Sequence, residues 1–272
     1  MNKTDNRSKK NLPLEHSSQA VKGKKLSHNR GVAKRFRTAI ICLSALVVVS
    51  MITCIGYDRF NTVSKAKALS GCLVCIDPGH GFGDPGTAGE FLGDVTEAEI
   101  NMSISQRLAE ELKKKGFSVV FTHDGSDIPV GTDVNNNGIF DPEERVTYSD
   151  SFDSVPAVFI SIHCDSFPSD PSVNGTRLYY QDGSDRGVLS GLLRSVANEI
   201  SVINGTRRAP IVKSMSQNDA YTVICDREKS SAFLIECGFV TNADDAARLI
   251  SADWQSSFAK AIADGMYKYC NK

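Results

Sequence analysis

Four titratable side chains stand where short apolar runs end. His80 follows the run in "LVCIDPGH", His163 closes "AVFISIH" (157–163), and Glu236 closes "AFLIE" (232–236). Glu97 opens a helix-like segment just past the glycine-rich loop around His80. An imidazole between Gly79 and Gly81 can look outward from a strand end, because glycine lets the backbone turn sharply beside it. A carboxylate at the end of a buried run is costly unless it faces a metal, a cation or a site. Two neutral imidazoles, one carboxylate and a water make a tetrahedral catalytic zinc site with an open position. A further carboxylate outside that set can take a proton from the water. Spacing alone leaves open which glutamate would bind. Asn101 lies one turn after Glu97 on the same helical face, where it can hold that carboxylate. The chemistry points to a zinc hydrolase without the H-E-x-x-H helix of many zinc proteases.

The elements that must position these groups follow from periodicity. Residues 72–77, 118–122, 157–163, 176–180 and 232–236 read as strands. "TEAEINMSISQRLAEELKKKG" reads as a helix, with Thr96 and Glu99 as a capping box, Ile100, Ile104, Leu108 and Leu112 as its apolar stripe, and Gly116 ending it. Further helices are expected over 187–203 and 254–269. Strands apolar along their whole length, alternating with helices, indicate a single α/β domain: a mostly parallel sheet with helices on both faces. Ligands gather at the carboxyl ends of such strands, which is where the four groups fall.

The formal charge of −1 hides an asymmetry: residues 1–37 hold eleven Lys and Arg against Asp5 and Glu15. That segment reads as a disordered cytoplasmic tail. "TAIICLSALVVVSMITCIGY" (38–57) carries no charge and is long enough to cross a bilayer. The expectation is a transmembrane signal-anchor over 38–57 with its N-terminus inside, a linker over 58–70, and an exported domain over 71–272. The alternative is a secreted form cleaved near "AKA" (66–68). Eight cysteines are present, but they form no paired C-x-x-C knuckles, so buried thiols are expected rather than a zinc ribbon. Nothing in the exported part suggests nucleic acid, and no protein partner is evident.

"DVNNNGIFDPEE" (133–144) matches D-x-[DN]-x-[DN]-G-x5-E. Asp133, Asn135 and Asn137 would supply side-chain oxygens, Ile139 its carbonyl, Asp141 a contact through water, and Glu144 a bidentate carboxylate. This oxygen-only set suits a structural Ca²⁺.

"IDPGHGFGDPGT", "TEAEIN", "SIHCDS" and "LIECGFVTN" resemble, in order and spacing, the motifs of the zinc-dependent N-acetylmuramoyl-L-alanine amidases of the type-3 catalytic family. The resemblance spans 73–270. It implies one zinc held by His80, Glu97 and His163, with Glu236 as the catalytic carboxylate. It implies hydrolysis of the amide between the lactyl group of N-acetylmuramic acid and L-alanine in peptidoglycan. Cys164 and Asp165 stand where the family usually has a small residue and Asn, and His123 where it commonly has Arg. Asp84 and Asp94 are expected to shape the wall-facing groove. Competing readings are a catalytically silent wall-binding module and a zinc peptidase acting on the stem peptide.

Overall fold

The computed structural model describes residues 28–183, 186–204, 209–225, 227 and 229–271. The chain divides into two compact units, 1–56 and 57–272. Helix α1 is His28–Ala68. Within it, Lys34–Tyr57 is long and apolar enough by composition to cross a membrane. Residues 1–27 of the expected basic tail lie outside the described residues, while 28–37 and most of the expected linker are helical.

The second unit is built on a six-stranded sheet: β1 (Leu73–Pro78), β2 (Ser118–Phe121), β3 (Val158–Asp165), β4 (Arg177–Gln181), β5 (Ile211–Met215) and β6 (Ser231–Phe239). Their spatial order is β2-β1-β3-β6-β4-β5. β2, β1, β3 and β6 are parallel, whereas β4 pairs antiparallel with β6 and parallel with β5. The reversal has a simple cause. The connection 166–176 is too short for a helical crossover, so β4 must start at the sheet edge where β3 ends.

Helices α2 (Glu97–Lys114), α4 (Arg186–Asn204) and α6 (Ala252–Cys270) cover one face, which holds the larger core. Strand alternation sends Ile160, Ile162, Phe233 and Ile235 to that face and Phe159 and Leu234 to the other. The second face packs α3 (Pro142–Asp150) and a short 3-10 turn, Thr222–Ile224. Helix α5 (Ala243–Leu249) follows β6. The start of α2 carries the expected reciprocal cap: Glu99 N donates to Thr96 Oγ1 at 3.2 Å and Thr96 N to Glu99 Oε2 at 2.8 Å. Because α2 begins beside the carboxyl ends of β1 and β3, its first residue, Glu97, reaches His80 just past β1 and His163 near the end of β3.

Candidate metal and catalytic centre

Ligand atoms of His80, Glu97 and His163 lie within 4.8 Å of one another. His80 Nε2 is 3.2 Å from Glu97 Oε1, and His163 Nδ1 is 3.4 Å from the same oxygen. The backbone is shaped for this meeting. His80 itself has φ 65°, a left-handed conformation uncommon for a side chain other than glycine. A Cβ at Gly79 would fall 2.2 Å from His163 Cε1, so only glycine lets the imidazole cross this strand end. At Gly86 (φ +76°) a Cβ would meet Glu97 Oε2 at 2.7 Å and His80 Cδ2 at 2.9 Å.

Glu97 and His80 are each held by partners outside the cluster. Glu97 Oε2 accepts from Thr87 N at 2.7 Å, and Oε1 accepts from Cys164 N at 3.0 Å and Asn101 Nδ2 at 3.3 Å. Asn101 Nδ2 also donates to the Gly79 carbonyl at 3.1 Å, tying helix to loop. His80 Nδ1 lies 2.6 Å from Asp84 Oδ2, which leaves Nε2 facing the cluster. Burial raises the Glu97 pKa, but hydrogen bonds with His163 and His80 outweigh it and hold the carboxyl well below the usual range. Two imidazoles and a buried carboxylate kept ionised are a donor set that fits zinc.

Glu236 lies directly across the ladder from His163. It is 6 % exposed, and its Oε2 is buried without a hydrogen-bond partner. Burial pushes its carboxyl well above the ordinary glutamate value, and the charges of Asp165 and Glu97 add to that push while Arg177 opposes it. An orphaned carboxylate oxygen beside the cluster is what a water bound there would satisfy. A cavity of about 430 Å³ opens over these groups, lined by His80, Glu97, His163, Asp165, Tyr221 and Glu236 among others. Asp84 also lines it, whereas Asp94 is exposed elsewhere on the loop.

Asp77 and Arg145 support the site, and sequence reading assigned neither a role. Asp77 is fully buried; it accepts from Thr122 Oγ1 and Ser161 Oγ at 2.7 Å each and pairs with Arg145 Nη1 at 3.2 Å. Arg145 Nη1 also donates to the Pro78 carbonyl, so this buried pair fixes the turn that carries His80. Asp77, like Glu236, is a carboxylate ending an apolar run, and such a group needs a cation or a site beside it. Tyr221, packed edge-on against Tyr179 with centroids 5.4 Å apart, was also missed.

The loop 133–144 folds into successive side-chain turns. Asp133 accepts from Asn137 N and Gly138 N, Asn135 from Asn137 N, and Asn137 from Ile139 N. Glu144 accepts from Val134 N at 2.7 Å and from Asp141 N at 3.0 Å, so it caps α3 as well as closing the loop. Among the described residues, only His80, Glu97 and His163 form a group of three or more His, Cys, Asp or Glu converging within 4.8 Å. Asp133, Asp141 and Glu144 therefore do not converge, and the structure lends calcium no support.

The sequence pattern described as N-acetylmuramoyl-L-alanine amidase matches residues 74–268. An uncharacterized protein of Bacillus subtilis, YqiI, is 28% identical over 204 residues, covering 75% of this chain and 87% of the relative. N-acetylmuramoyl-L-alanine amidase LytC of Bacillus subtilis is 29% identical over 199 residues, covering 73% of this chain but 36% of the relative. Among solved structures, N-acetylmuramoyl-L-alanine amidase AmiC2 of Nostoc punctiforme superposes with a TM-score of 0.59 at 28% identity, covering 74% of this chain and 98% of that one.

Proposed function

Since the chain belongs to the N-acetylmuramoyl-L-alanine amidase family, we propose that it uses zinc to hydrolyse the amide joining the lactyl group of N-acetylmuramic acid to L-alanine in peptidoglycan. The observation that carries this reading is the convergence of His80, Glu97 and His163 beside an unpartnered Glu236. His80, Glu97 and His163 would hold the metal, with Asn101 and Asp84 orienting Glu97 and His80. Zinc bound there would polarise the amide carbonyl and make its water a stronger acid. Glu236 Oε2 accepts the proton of the attacking water and returns it to the departing alanine nitrogen. Burial raises its pKa, which favours taking up the water's proton and holding it until the amine departs.

The test separates binding from turnover. His80→Ala and His163→Ala should lose zinc and activity together, whereas Glu236→Gln should keep zinc and lose turnover. Full zinc content in both histidine variants sinks the ligand assignment.

We also propose that 38–57 spans the membrane with the N-terminus inside, presenting 71–272 outside as the catalytic domain. Support comes from the apolar stretch Lys34–Tyr57 and the basic residues before it. Protease added to intact protoplasts should digest the domain. A protected domain contradicts export, and a soluble form starting near Leu69 favours cleavage over anchoring. Calcium at 133–144 is proposed on residue order alone. Added Ca²⁺ should raise the melting temperature of chelator-stripped, zinc-reloaded protein, and Asp133→Ala with Glu144→Ala should abolish the rise. An unchanged melting temperature across millimolar Ca²⁺ reduces the segment to a polar loop.

A further inference from the structure

The strand registers set three side chains in one row across the sheet. His163 on β3 is paired with Glu236 on β6, and Glu236 with Arg177 on β4. Residues directly opposite in an antiparallel pair have Cβ atoms about 4.5–5.5 Å apart. An arginine there can lay its guanidinium on the neighbouring carboxylate, the strongest pairing available to it. Arg177 does not. Its Nη1 is 3.1 Å from Asp165 Oδ2, and its guanidinium lies over the Phe239 ring, 4.4 Å from the centroid. Asp165 is fixed in turn, because Oδ1 accepts from Ser166 N at 2.8 Å.

The local irregularity of the sheet creates this grip. Between His163 and Asp165 the β3–β6 register shifts, so that Asp165 is paired with Phe239. The carboxylate and the ring that hold Arg177 are thereby paired with each other, Asp165 two residues past His163 and Phe239 three past Glu236. Glu236 Oε2 stays buried and unpartnered although a guanidinium is anchored on the adjacent strand.

We infer that Asp165 is a positioning residue: it holds the Arg177 guanidinium off Glu236 and so keeps that carboxylate free to act on the attacking water. This rests on the role given to Glu236 above. Without the Asp165 carboxylate, Glu236 becomes the carboxylate to which Arg177 can turn across the ladder. A base engaged in a bidentate ion pair is a poor proton acceptor.

The test is a rescue. Asp165→Ala should lower kcat roughly 10–100-fold, a large part of the ~10²–10⁴-fold that a general base contributes, with a smaller change in KM and with zinc content unchanged. Arg177→Met should remain active. The double variant Asp165→Ala/Arg177→Met should recover kcat to within about threefold of Arg177→Met, since the two sites couple only through the guanidinium. Wild-type kcat in Asp165→Ala, or a double variant as impaired as Asp165→Ala, overturns the inference. A crystal structure of Asp165→Ala reads it independently of turnover: Arg177 paired with Glu236 supports it, and a guanidinium still over Phe239 refutes it. Absence of hydrolysis by the zinc-loaded wild-type protein would count instead against the proposed function.

Discussion

Replacing Arg145 by Met should destabilise the folded domain by about 3–5 kcal/mol, the usual cost of stranding one partner of a buried ion pair. The structure places this pair at the severe end. Asp77 is fully buried and the Arg145 side chain is 4 % exposed, so water cannot take over the lost contact. Thr122 and Ser161 still donate to Asp77, but they carry no charge. For a domain of this size the loss corresponds to a fall in Tm of roughly 6–20 °C. Urea unfolding of the metal-free domain measures it directly. Asp77→Asn combined with Arg145→Met should cost less than the two single changes together, because the double variant buries no unpaired charge. An Arg145→Met variant within about 1 kcal/mol of the parent refutes the reasoning, as would strict additivity of the pair.

Other outcomes follow from the same geometry. Gly79→Ala should fold but weaken zinc binding by roughly 10–100-fold, because the new methyl displaces the His163 ring; isothermal titration with Zn²⁺ checks it. Glu236→Gln should raise the stability of the metal-free domain at pH 7 by roughly 1–3 kcal/mol. The sign follows from the raised pKa of Glu236: the folded state binds its proton more tightly than the unfolded chain, so the parent loses stability as pH rises above the ordinary value of about 4.3, until the folded-state pKa is passed. Below that ordinary value parent and variant should melt alike, and a gain that persists there contradicts the assignment. Asp84→Ala should lower zinc affinity without unfolding the domain, since Asp84 is partly exposed and fixes the His80 ring; zinc competition with a chromophoric chelator reads the change.

The parts legible in the sequence are those set by local pattern. Thr96 and Glu99 announce the start of α2, and the continuous apolar runs mark β1, β3 and β6. The placement of His80, His163, Glu97 and Glu236 at one sheet edge follows from that alternation. What was not legible depends on distant partners or on conflicting local signals. β5 (Ile211–Met215) is a partly exposed edge strand, and its mixed "IVKSM" gives no strand pattern. Helix α3 was obscured because Glu144 also completes a metal-loop pattern, while in the fold it accepts from Asp141 N at the start of that helix. The reversal of β4 is a matter of connection length and leaves no mark in the strand itself. The pairing of Asp77 with Arg145 joins residues 68 positions apart, so neither side chain alone reveals it. The grip of Asp165 on Arg177 depends on a register shift that no periodicity shows.

Mass spectrometry of purified peptidoglycan digested with the zinc-loaded domain tests the proposed amidase activity. An amidase releases stem peptides with free L-alanine amino termini and leaves glycan strands intact, and Glu236→Gln should yield no such products. Cuts within the stem peptide, or an unchanged wall after digestion by the wild-type domain with zinc bound, would contradict that activity.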